Sequence, residues 1–264
     1  MASNKEIVFI TGGNTGLGYE VVKALYKSPR PYEIILGCRA VSKGEEAIAT
    51  LQKEIPESAS TLSVQQADLE SDASLEQAVA AISAIHGGRL DVLINNGGAS
   101  FDNDIAPHGR AMSVRDAFNK MWDVNVSGTH VLTQLAAPLL LQSSAPRLLF
   151  VTSGTATLAE TEIFDTPMGR RLNASPPAGW PKGSAGPGMM AVMGYRSAKT
   201  GLNMVMREWA RILRNDGVKV WATGSRPRGA LDPSVGGETV REVVEGKRDG
   251  EVGKVVRRDM VQPW

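Results

Sequence analysis

The chain has one cysteine, Cys38, and three isolated histidines, His86, His108 and His130, among 264 residues. A single thiol closes no internal disulfide, and no Cys and His fall at zinc-ligand spacing, so disulfide and zinc scaffolds are excluded and a reducing compartment is implied. Long apolar runs are missing as well. The longest, Leu135 to Leu141, is far short of the ~20 residues needed to cross a bilayer, and the opening Met-Ala-Ser-Asn-Lys-Glu has no apolar leader. These absences give the expectation of a soluble, cytoplasmic protein, in which the sequons at Asn125 and Asn173 stay idle. Nor is there an excess of one charge. The 29 basic and 28 acidic residues are interspersed and leave a net charge of +1, which offers no attraction to nucleic acid or to a membrane surface. A small, specific ligand is the remaining class of partner. With 42% hydrophobic residues and 14 prolines, the chain is long enough to bury one large core.

Glycine is plentiful, and its first cluster is the most informative. The run Glu6-Ile-Val-Phe-Ile10 is rich in β-branched residues and leads at once into Thr11-Gly12-Gly13-Asn14-Thr15-Gly16-Leu17-Gly18. Helical periodicity follows through Val21, Val22 and Leu25. A strand, a glycine loop and a helix in this order place backbone amides and a helix N-terminus where they hold a pyrophosphate. A second buried strand, Tyr32 to Cys38, ends about 20 residues on, where such a fold reads the adenosine ribose. An acid there selects NAD(H), but this chain has Gly37, Cys38 and Arg39, and an arginine fork suits a 2′-phosphate. NADP(H) is therefore expected in preference to NAD(H).

Strands and helices continue to alternate. Thr61 to Ala67 reads as a strand ending at Asp68-Leu69, Ser74 to Ile85 as a helix, and Asp91 to Ile94 as a strand closing on Asn95-Asn96-Gly97-Gly98. A long helix from about Val114 to Gln142 carries two weak helix formers, Asn125 and Gly128. A strand from Leu148 to Val151 then leads to Thr152-Ser153-Gly154. This pattern predicts an α/β fold, a three-layer, doubly wound parallel sheet of Rossmann type, in a single domain spanning residues 1–264. An irregular insertion interrupts it at about residues 155–193, rich in Gly and Pro from Ser175 to Gly188. Ligands in such sheets bind beyond the carboxyl ends of the strands.

The next helix, from Met193 onward, is amphipathic through Ala198, Leu202, Val205, Met206, Trp209 and Leu213, and places Tyr195 and Lys199 on one face. A phenol titrates near ~10, and a cation about 4 Å away contributes roughly 4 kcal/mol at an effective dielectric of ~20, the size of shift an acid-base tyrosine requires. The chain closes with a strand at Val218 to Ala222, a helix near Glu238 to Glu245 and an edge strand around Gly253 to Val256.

Thr-Gly-x-x-x-Gly-x-Gly at 11–18, Asn-Asn-Gly-Gly at 95–98, Asn125, Ser153 and Tyr195-x-x-x-Lys199, in that order, make the chain resemble the short-chain dehydrogenases/reductases over nearly its whole length. The long spacer from Ser153 to Tyr195 resembles the monomeric carbonyl-reductase branch, and implies a monomer or homodimer acting on a small carbonyl substrate. The resemblance implies catalytic roles for four residues. Tyr195 would give a proton to the carbonyl oxygen, Lys199 would lower the tyrosine pKa and hold the nicotinamide ribose, Ser153 would orient the carbonyl, and Asn125 would hold a water linking Lys199 to solvent. Cofactor contacts would come from Gly12, Asn14, Thr15, Gly16, Leu17, Gly18, Arg39, Asp68, Leu69, Asn95 and Gly97, together with Tyr195 and Lys199.

Two departures stand out. Gly97 replaces the family's usual alanine. After Ala222 the family's Pro-Gly turn and covering helix give way to Thr223-Gly-Ser-Arg-Pro-Arg-Gly-Ala-Leu-Asp232. Two readings follow: an NADPH-dependent carbonyl reductase, or a catalytically impaired dinucleotide-binding protein acting as a cofactor-responsive regulator or scaffold.

Overall fold

The computed structural model describes residues 5–105, 112–180, 192–225 and 232–264. Seven parallel strands, β1 (Glu6–Thr11), β2 (Tyr32–Cys38), β3 (Thr61–Gln66), β4 (Val92–Asn95), β5 (Arg147–Ser153), β6 (Lys219–Ser225) and β7 (Val255–Val256), form one sheet in the order β3-β2-β1-β4-β5-β6-β7. The order reverses between β1 and β4, where Ile10 lies level with Leu36 on one side and Ile94 on the other. Helices α1 (Gly16–Tyr26), α2 (Val41–Glu54) and α8 (Pro233–Val244) cover one face, and α3 (Asp72–Ile85), α5 (Gly128–Leu140) and α7 (Met193–Ile212) the other.

Strand alternation divides the core between the faces. Along β1, Ile7 and Phe9 point to the α3, α5 and α7 side, whereas Val8 and Ile10 point to the α1 and α8 side. The doubly wound sheet expected from the βα alternation is the architecture found.

Three local expectations change. The long helix is broken into α4 (Val114–Trp122), a π-helical turn at Asp123–Ser127, and α5. The cause is Asn125, whose amide donates to the Met121 and Ala99 carbonyls at 2.8 and 2.7 Å, and Gly128, where a Cβ would overlap the Leu69 carbonyl oxygen. Strand β6 runs to Ser225 instead of stopping at Ala222, because Thr223, Gly224 and Ser225 stay in register with Val151, Thr152 and Ser153. The insertion is also less irregular than its Gly and Pro content suggests. Its Thr166-Pro167 pair starts a short helix, α6 (Pro167–Asn173), capped by the Thr166 hydroxyl on Gly169 N at 2.9 Å.

His108, Met189, Met190, the Gly/Pro-rich stretch from residue 181 to 188, and residues 226–231 of the rewritten segment lie outside the described residues. Among the described residues, no helix is long and apolar enough to cross a membrane.

Candidate active site

The carboxyl ends of β1, β4, β5 and β6 line one edge of the sheet, and the residues singled out in the sequence gather there. Gly12 and Gly16 are left-handed, with φ of 65° and 56°. A Cβ at Gly18 would overlap the Gly12 carbonyl oxygen, so only glycine lets α1 start this close to the loop. Thr15 precedes α1 in extended conformation without a side-chain cap, and the first turn holds no acid. Among the described residues nothing caps the leading amides of α1 and no heavy atom lies near the outer side of Gly16, which is what a phosphate requires. Asn14 is half-buried and Thr15 exposed on this rim, and Leu17 packs under α8, where a Cβ at Gly236 would come within 2.6 Å of its methyl.

The loop after β4 is tied to the loop after β1. Asn96 donates its amide to Thr11 O at 2.8 Å and Gly12 O at 3.3 Å, while the Thr11 hydroxyl accepts from Asn96 N and Gly97 N at 3.1 and 2.8 Å. Thr11 and Asn96 were not among the expected site residues, although both stand inside the motifs. Asn95 donates to Thr133 Oγ1 at 2.9 Å, and its buried Oδ1 has no partner among the described residues, leaving an acceptor that a bound ligand can satisfy. Gly97 is explained by Leu69: a Cβ there would lie 2.7 Å from the leucine methyl, so the glycine lets the buried Leu69 fill the floor of the site.

Asp68 accepts from Glu70 N at 3.1 Å and marks the end of β3. Arg39 sits at the end of β2 with its side chain 75% exposed and, among the described residues, only a long, 3.8 Å contact to Glu70, so its guanidinium is available to a ligand. Neighbouring Lys43 is engaged by Glu46 at 2.9 Å. Cys38 is a buried strand-end residue whose thiol donates to Ala40 O at 3.2 Å.

The four proposed catalytic residues meet where α7 crosses β5 and the π-helical turn. The Ser153 hydroxyl lies 2.9 Å from Thr155 Oγ1 and is near enough to the Tyr195 phenol to favour its ionised form. Lys199, 3% exposed, donates to Val151 O at 2.9 Å, and Thr152 donates to Lys199 O at 3.2 Å, pinning α7 to β5. Asn125, fully buried, accepts from Ala99 N at 3.3 Å. A Cβ at Gly98 would lie 2.6 Å from Asn125 Oδ1 and 3.0 Å from Lys199 Nζ, so glycine brings the loop after β4 against both groups.

The electrostatics differ from expectation in one respect. Burial pushes the Tyr195 pKa upward, and the Ser153 hydroxyl, not Lys199, is what counteracts it. The Lys199 ammonium lies 6.0 Å from the tyrosine ring centre, turned to the Val151 carbonyl, and its own burial drops its pKa to about 8.

Asp102 escaped the sequence reading altogether. It is 5% exposed, and its two carboxylate oxygens accept from Gly194 N at 2.8 Å and Tyr195 N at 3.0 Å, capping α7 at the tyrosine itself. The Ser100 hydroxyl also donates to it at 3.1 Å, but its two partners on α7 lie more than 90 residues away and no local motif announces that pairing.

The short chain dehydrogenase family model matches residues 6–163, more than half of the chain. The chain belongs to the short-chain dehydrogenase/reductase family. Among the curated members, the short-chain dehydrogenase/reductase eupG of Phoma sp is 43% identical over 287 aligned positions, covering 100% of this chain and 99% of the relative. The corresponding tropE protein of Talaromyces stipitatus is 39% identical, covering 99% of each. Among solved structures, the NADPH-bound carbonyl reductase from chicken fatty liver has a TM-score of 0.75 at 18% identity, covering 99% of this short-chain dehydrogenase/reductase and 100% of that chain, a likeness of fold.

Proposed function

We propose that this oxidoreductase reduces a ketone or aldehyde carbonyl using NADPH. The observation that carries the reading is the paired Ser153 and Tyr195 hydroxyls at the end of β5, backed by a fully buried lysine. Two hydroxyl donors side by side suit one carbonyl oxygen, which accepts two hydrogen bonds as negative charge develops on it. Burial keeps the Tyr195 phenol protonated at neutral pH, the form needed to donate a proton to that oxygen. Lys199, with a pKa of about 8, exchanges protons close to neutral pH, and Asn125 holds the loop beside it.

The free amides of α1, the orphaned Asn95 Oδ1 and the exposed Arg39 fit a dinucleotide bearing a 2′-phosphate. The chemistry such a cofactor supplies when bound is a hydride. Gly12, Asn14, Thr15, Gly16, Leu17 and Gly18 would surround its pyrophosphate, Arg39 and Asp68 would flank its adenosine, and Asn95, Gly97, Tyr195 and Lys199 would hold its other end. The expected test outcome is NADPH absorbance falling with a panel of small ketones and quinones.

A second reading, a binder with impaired turnover, is favoured by one feature. Residues 226–232 alone separate β6 from α8, and α8 is held against α1 through Gly236 and Gly237, which leaves little chain for a cover. NADPH binding in calorimetry without consumption of any carbonyl would select that reading.

A further inference from the structure

A cavity of about 500 Å³ lies between the end of β5, the insertion and the C-terminal tail, lined by Gly154, Thr155, Glu160, Leu172, Arg196 and Arg257 among others. Two arginines enter it, and their situations differ. Arg257 forms a two-pronged ion pair with Glu160 and also donates to Gly154 O and Gln262 Oε1, so its charge is neutralised within the protein. Among the described residues Arg196 has neutral acceptors only: Thr155 O at 3.0 Å from Nε, then Leu172 O and the Asn173 side-chain oxygen, both at 3.4 Å.

A guanidinium has five N–H donors, so two of those on Arg196 have no acceptor among the described residues. Among the described residues no carboxylate lies within ion-pair distance of it, Glu160 of the same cavity being bound to Arg257, and burial lowers its pKa. Nor can the remaining segments supply an acid. Residues 1–4, 106–111, 181–191 and 226–231 contain no Asp or Glu. The cavity therefore holds one uncompensated positive charge.

Its location ties it to the reaction centre. Arg196 follows Tyr195, Gly154 follows Ser153, and Thr155 touches both regions, with its hydroxyl 2.9 Å from Ser153 Oγ and its carbonyl on Arg196. The cavity lining stops at Gly154 and Thr155, so among the described residues Thr155 is the one side chain that joins an oxygen pair held by Arg196 to the Ser153 hydroxyl.

We propose that this cavity is an acid-binding subsite in which the free N–H edge of Arg196 receives a carboxylate carried by the carbonyl substrate. The subsite deepens the reductase reading and rests on it. A planar guanidinium edge matches the two oxygens of a carboxylate, and charge-assisted bonds are the strong ones in such partly dry surroundings. Substrates of this class are keto acids and formyl or acetyl aromatic acids.

The test is titration calorimetry of 4-acetylbenzoate and its neutral analogue 4-acetylbenzamide against the wild-type chain, Arg196→Lys and Arg196→Gln. The wild type should bind the acid at least about 10-fold more tightly than the amide, and Arg196→Gln should remove that preference while leaving amide binding unchanged. Arg196→Lys should retain most of it, because the charge remains. Equal affinity of the wild type for acid and amide would overturn the proposal. So would parallel losses of both ligands in Arg196→Lys and Arg196→Gln, which would mean that the arginine only tethers Leu172 and Asn173 to the β5 loop. Should Arg196→Gln fail to fold in a thermal melt, the lysine variant decides. Binding is read without turnover, so the two ideas fail separately. Acid-selective binding with no carbonyl reduced would remove the reductase reading alone, and reduction of neutral ketones without acid selectivity would remove the subsite alone.

Discussion

The two ends of the site are built differently. At the glycine loop, β1, α1 and β4 are joined by backbone groups and by glycines whose Cβ atoms would collide with main chain or with Asn96. At the tyrosine, the joints are charged and polar side chains reaching across long stretches of sequence: Asp102 to the start of α7, Lys199 to Val151, Arg257 to Glu160 and Gly154. A backbone cradle tolerates little substitution but has no titrating group of its own. A side-chain assembly can carry proton chemistry, and each member exacts a burial cost.

The sharpest way to separate the two ends is Tyr195→Phe. Loss of the proton-donating hydroxyl should lower turnover by roughly 10²–10⁴-fold while NADPH affinity in calorimetry stays within about twofold, because the ring still packs. Retention of most of the rate at saturating NADPH would require another acid.

Lys199→Met tests the cost of burial. Lys199 has its pKa pushed from 10.5 down to about 8, so below about pH 8 the folded chain carries the full penalty of a buried cation, of order 3 kcal/mol. Between about pH 8 and 10.5 the unfolded chain binds more protons than the folded one, and stability rises with pH as the penalty disappears. Lys199→Met should therefore melt a few degrees higher than the parent at pH 7, lose that advantage towards pH 10.5, and be inactive. A variant that melts lower at pH 7 would mean that the bond to Val151 O outweighs the burial cost.

Asp102→Ala removes the cap that joins the β4 loop to α7. The expected loss is about 1–2 kcal/mol of stability in denaturant melts, with kcat reduced more than the KM for NADPH, and Asp102→Asn should recover part of both. Equal effects on cofactor binding and turnover would mean that the cap supports the whole edge and not the tyrosine in particular.

The mildest expected change belongs to the other end. Arg39→Asp should weaken NADPH by about 10-fold and leave NADH nearly unchanged in titration calorimetry, since only the 2′-phosphate contact is lost. Equal losses for both cofactors would show that Arg39 does not read that phosphate.

The contrast between the two ends also separates what was legible in the sequence from what was not. The glycine loop, the strand and helix alternation, the Asn95 to Gly98 turn and the Tyr195 to Lys199 spacing are local patterns, set by backbone φ limits and by the periods of strands and helices. They were sufficient for the doubly wound sheet, and for gathering the four proposed catalytic residues at one edge. Tertiary structure decided the rest. The π-helical turn needed the Ala99 and Met121 carbonyls around Asn125, the Gly97 departure needed Leu69 beneath it, and the extension of β6 needed its register with Ser153. Only the folded chain places Asp102 on α7, turns Lys199 towards Val151 and pairs Glu160 with Arg257 so that Arg196 is left without an acid. The physical reason is common to all of these. Burial and hydrogen bonding between residues distant in sequence set charge state and rotamer, and a one-dimensional pattern carries neither.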